Sequence, residues 1–118
     1  MNTELTASKA LELLSNIPEK DFITDIFTDG KGRCCAIGHL MRLTSSDPTD
    51  YSENNCHDQK QKKVNIRQLS NKYLRDTHNM KFESIATVNN SEKINGYNED
   101  TPKKRVLHLL EDMIKAGY

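Results

Sequence analysis

The stretch from Thr101 to Ala116 constrains the fold most, because it carries its own start, stop and buried face. Thr101 can accept from the free amides of a first helical turn, and Pro102 suits the position where a missing N–H costs nothing. Val106, Leu109, Leu110, Met113 and Ile114 recur at helical spacing and form a wide apolar face. Lys115 complements the negative end of the helix dipole, and Gly117 suits the left-handed backbone that follows many helices. A helix with such a face is stable only against other elements, so the rest of the chain must supply a matching layer.

Three segments can do so. From Thr6 to Ile17, Ala7, Ala10, Leu11, Leu14 and Ile17 share one face, with Thr6 as cap, Leu5 as staple and Pro18 as terminator. From Arg33 to Leu43, Cys34, Ile37, Leu40 and Met41 form an apolar stripe, interrupted by Gly38 at a cost of roughly 1 kcal/mol relative to Ala. From Val64 to Arg75 the stripe is Ile66, Leu69, Tyr73 and Leu74. Two short runs stay ambiguous. Asp21 to Phe27 reads as irregular or extended, and Phe82 to Val88 reads as a short helix or a buried strand. Asp29 to Gly32 is a turn, and Thr44 to Lys63 is too polar to bury, so it reads as a long loop. A chain of 118 residues is one ordinary domain. The expected fold is mostly α: a single small domain over residues 1–118, of about four helices, with room for a short β segment or hairpin.

Several function classes are disfavoured by composition. Lys plus Arg number 17 and Asp plus Glu number 17, so no global field attracts nucleic acid or an anionic membrane. No apolar run is long enough to cross a bilayer, and the acidic amphipathic start is unlike a signal peptide. With three cysteines, two of them adjacent, a reducing cytoplasmic setting is expected, with no disulfide framework and no membrane.

Three constellations could carry chemistry. Cys34 and Cys35 follow a glycine turn and open the expected second helix, where amides and the positive dipole end stabilise a thiolate. His39 lies four residues after Cys35, so a cysteine nucleophile with His39 or His57 as base is one reading; packing of the thiols as small apolar groups is the other. Cys35, His39, Cys56 and His57 together are a permissible zinc set, although the spacing lacks the usual Cys-x-x-Cys halves and no cofactor is expected. Lys60, Lys62, Lys63, Arg67, Lys72 and Arg75 run without an intervening acid and enclose Tyr73. Such a stretch could track phosphates, meet an acidic protein, or simply face water. His78 and His108 stand apart from these groups, and His108 falls opposite the apolar face of the closing helix, where exposure is expected.

DGKGRCCAIGHL, followed by IATVNN and then TPKKRVLHLLEDMI, resembles small proteins of bacteria and their phages whose function is unknown. The shared pattern is a Cys-x-x-Gly-x-Leu helix start, an Asn-rich segment and a terminal Pro-x-x-Arg helix. Cys35, Gly38, Leu40, Asn89, Asn90 and Arg105 carry it here. Cys34 and the long polar insert after Leu43 depart from it. The resemblance implies a mostly helical fold in a bacterial or phage cytosolic setting and brings no established active site. If Cys35, Gly38 and Asn89 or Asn90 meet in space, they would line a small polar notch; the alternative is that the Asn pair caps or turns the chain before Lys93. The leading expectation is a small accessory protein that binds a protein partner, as modulator or inhibitor of a host system, without catalysis. The alternatives are a thiol-dependent enzyme and a nucleic-acid-binding module.

Overall fold

The computed structural model describes residues 6–24, 31–44, 66–94 and 96–118. It is mostly helical, as the periodicity predicts. The α-helices are α1 (Ala7–Ser15), α2 (Ala36–Thr44), α3 (Ile66–His78), α4 (Ile85–Asn90) and α5 (Pro102–Lys115), with a 3₁₀ turn at Glu19–Asp21. Among the described residues there are thus five helices, one more than expected. In place of a β segment or hairpin, the described residues form isolated bridges only, Phe22 with Cys34 and Ile94 with Tyr97.

The additional helix is α4, and its start explains why the run Phe82 to Val88 is not a strand. Ser84 caps it, accepting from the Ala86 amide at 3.2 Å, while the Thr87 hydroxyl accepts from the Ser84 amide at 3.3 Å. These reciprocal bonds satisfy amides that a first helical turn leaves free. Ile85, Val88 and Asn89 then turn inward.

The second helix begins later than Arg33. The backbone of Cys34 is already committed on both sides. Its amide donates to the Asp21 carbonyl at 2.9 Å, and its carbonyl accepts from the Ile23 amide at 3.1 Å. A residue paired in this way cannot contribute to a helix, so α2 starts at Ala36, with Cys35 as its cap.

The closing segment folds as its caps predict. Thr101 accepts from the Lys104 amide at 3.3 Å, and α5 ends at Lys115 with Gly117 at φ +86°. α5 is the wall of the core: the most extensive helix contacts are those of α1 and of α4 with it. α2 touches α1, α4 and α5, and α3 touches α4 and α5. Val106, Leu109, Leu110 and Met113 are fully buried, along with Leu14, Ile37, Leu40, Ile66, Leu74, Ile85 and Val88.

The buried face of α1 is Ala7, Ala10 and Leu14, so two of its three inward residues are small. Small side chains let a helix approach its neighbour closely, and such a site has no room for added methylenes. Ala10→Leu should therefore destabilise the protein by about 1–3 kcal/mol in urea unfolding, whereas Glu12→Leu on the exposed side should stay within about 0.5 kcal/mol.

Candidate functional site

The residues with most chemical character gather at one buried joint. The chain leaves the 3₁₀ turn with the Asp21 carbonyl pointing at α2, where it accepts twice: from the Cys34 amide and, at 2.7 Å, from Nε2 of His39. A carbonyl can only accept, so the imidazole carries its proton on Nε2. Its Nδ1 lies 3.3 Å from Nη2 of Arg42 and accepts there. The ring also packs on Phe22, with centroids 4.9 Å apart. His39 is fully buried, and its pKa is lowered from 6.5, first by desolvation and then by the Arg42 cation, against the opposing hydrogen bond to Asp21.

Cys35 sits where a serine or aspartate often caps a helix. Its carbonyl accepts from the His39 amide at 2.9 Å, and its Sγ accepts from the Gly38 amide at 3.4 Å. The amide of Ala36, the first residue of the helix, donates to Oδ1 of Asn89 at 3.0 Å. Asn89 belongs to α4, so a side chain from one helix caps another. Its Nδ2 donates to the Ile23 carbonyl and to Oδ1 of Asn90, both at 2.9 Å.

The main chain of α4 is held in turn by Arg105. Its Nε donates to the Val88 carbonyl at 2.9 Å, its Nη2 to the Asn89 carbonyl at 2.7 Å and its Nη1 to the Glu99 carbonyl at 2.8 Å. Arg105 is only 4% exposed. A planar fork is suited to this task, because its donors are fixed relative to one another and can meet several carbonyls at once. Cys35, Gly38, Asn89 and Arg105 therefore do meet, but in a closed joint and not in an open notch. Asn89 acts as a cap, on the start of α2.

The other expected site residues divide. Cys34 and Cys35 are both buried, and both ring nitrogens of His39 are engaged by Asp21 and Arg42. Among the described residues no group of three or more His, Cys, Asp or Glu side chains could hold a metal. Cys56, His57, Lys60, Lys62 and Lys63 lie outside the described residues. On α3, Arg67 is half-buried, Lys72 is exposed, and Arg75 is exposed beside Asp76 at 3.8 Å. His108 is half-buried, correcting the expectation of exposure: Nδ1 lies 2.7 Å from Glu99 Oε2 and Nε2 3.4 Å from Asp112 Oδ2. Asp112 also accepts from the buried Tyr97 hydroxyl at 2.9 Å, and Tyr97 in turn packs against His78 with ring centroids 5.8 Å apart.

A surface feature went unrecognised in the sequence. Phe82 is 91% exposed, on a loop that is tied down on both sides. Asn71 of α3 donates through Nδ2 to the carbonyls of Lys81 at 3.0 Å and Glu83 at 2.8 Å. Ser70, also on α3, accepts from the Ile85 amide at 2.8 Å. Asn79, at φ 56°, reverses the chain after α3 in a conformation that asparagine tolerates better than most residues. Beside Phe82 lies an open groove of about 510 Å³, lined by Asn79, Met80, Lys81, Glu83, Lys93 and Ile94. The one available sequence signal is a phenylalanine between two charged residues, Lys81 and Glu83.

No protein-family model, no curated protein and no solved structure matches this chain.

Arg105→Lys keeps the charge but loses the fork, leaving buried carbonyls without donors. It should cost about 2–4 kcal/mol in urea unfolding; a loss below about 0.5 kcal/mol would show that the joint does not hold the fold. The lowered pKa of His39 has a fixed sign. Below 6.5 the unfolded chain takes up a proton that the folded site resists, so this stabilisation is complete above 6.5 and is lost as pH falls towards the lower folded value. Between about pH 7.5 and about pH 5.5 the wild type should lose more stability than His39→Gln, which can still donate to Asp21 but does not titrate.

Proposed function

We propose that this protein is a small accessory protein of the bacterial or phage cytoplasm. It acts without catalysis, by binding a protein partner through the face that carries Phe82, and so modulates a host system. The observation that carries this reading is the exposure of Phe82 on a loop held at Asn71, Ser70 and Asn79. A large aromatic in water forgoes the stabilisation that burial would bring, roughly 1.5–3 kcal/mol. With the main chain held on either side, little backbone freedom is lost on binding, which suits an interface anchor. The commitment of His39 to Asp21 and Arg42, and of Cys35 to the start of α2, supports the non-catalytic part of the reading.

Site-specific photo-crosslinking in cells that carry the gene tests it. Benzoylphenylalanine replacing Phe82 should give one discrete protein adduct, and the same group replacing the exposed Glu111 of α5 should not. Equal or absent adducts at both positions would overturn the proposal. So would partner-free turnover of a substrate that is lost in Cys35→Ala.

A further inference from the structure

We infer that the groove beside Phe82 receives an acidic peptide segment carrying an apolar side chain. The inference rests on the partner-binding reading above and adds the chemistry of what is bound. The apolar contacts come from Met80 and Ile94 in the groove and from Phe82 at its edge. Lys81 and Lys93 stand on opposite sides in sequence, one from the loop before α4 and one from the loop after it. Both are exposed, and neither has a carboxylate partner among the described residues. Glu83 is the single acid in the lining, so the rim is net positive.

Apolar surface between unpaired lysines is complementary to a segment that places a leucine or phenylalanine between aspartates or glutamates. The groove is open to solvent, so it suits a segment lying across the surface rather than an enclosed ligand. Nucleic acid fits less well, because the chain has no net charge and tracking a phosphate backbone takes more cations than Lys81 and Lys93 supply.

The full chain, labelled with ¹⁵N, can be titrated with an acetylated peptide in which two leucines are flanked by aspartates and glutamates. The same peptide with glutamine for every acid, a lysine version and an oligo-dT strand serve as comparisons. The acidic peptide should shift amide signals of residues 79–84 and 93–94. Its binding should weaken about tenfold in Phe82→Ala and in the double variant Lys81→Glu, Lys93→Glu, and should fall with added salt. Phe82 is solvent-exposed, so Phe82→Ala should unfold at the wild-type urea midpoint, and the loss then reports on binding. Equal binding of the glutamine peptide would overturn the acidic specificity while leaving the partner-binding reading intact. No shift with either peptide, alongside a Phe82 crosslink in cells, would likewise overturn this inference alone. Shifts at the groove from oligo-dT without any from peptide would overturn both, as would Phe82-dependent self-association by sedimentation in place of peptide binding.

Discussion

The Arg105 guanidinium donates to the carbonyls of Val88, Asn89 and Glu99, and these bonds set the placement of α5, α4 and α2 relative to one another. By gripping the last turn of α4 from α5, Arg105 positions Asn89, whose side chain caps α2 and holds the Ile23 carbonyl. The segment before Ile23 presents the Asp21 carbonyl, which receives both Cys34 and His39. Every member of this chain of bonds is buried or half-buried. Each unmet group would cost about 1–3 kcal/mol, so the contacts are worth more as a set than singly. A chain with no tryptophan and 35% hydrophobic residues has a modest apolar core, and a satisfied polar network adds specificity to it.

The same economy separates scaffold from surface. Cys35, His39, Asn89 and Arg105 carry the chemistry that a reader of the sequence would notice first, and all of them bond to main-chain groups. Phe82 is the reverse case, an apolar residue kept out of the core by polar bonds. Asn71 reaches the carbonyls on either side of it, so the backbone is drawn towards α3 while residue 82 projects away. α3 thereby presents an aromatic side chain next to an apolar groove flanked by Lys81 and Lys93, and the proposed binding role is assigned to that face.

Legibility followed the range of the interactions. α5 and α1 were readable because their caps lie next to their apolar faces: Thr101 and Thr6 each accept from an amide three residues on. The start of α2 was misplaced by three residues. Periodicity counted Cys34 as helical, whereas Asp21 and Ile23 claim its backbone from a different part of the chain. α4 was ambiguous for a related reason, since a short apolar run fits either period, and the hydroxyls of Ser84 and Thr87 decided between them. In the candidate site, the pattern of Cys35, Gly38, Asn89 and Arg105 was visible as residues without a stated geometry. His108 is half-buried because Glu99 and Tyr97, which precede α5, pack against it; among these partners Asp112 alone lies on its own helix.

By itself, the sequence determined a mostly helical chain whose closing helix carries a wide buried face, because caps and 3.6-residue periodicity act over one or two turns. Tertiary structure alone decided where α2 begins, which side chain caps it, and that Phe82 faces water while Ile85 does not. Those outcomes depend on which backbone groups distant residues such as Arg105, Asn89 and Asn71 can reach once the helices have packed, and a pattern along one segment does not encode that choice.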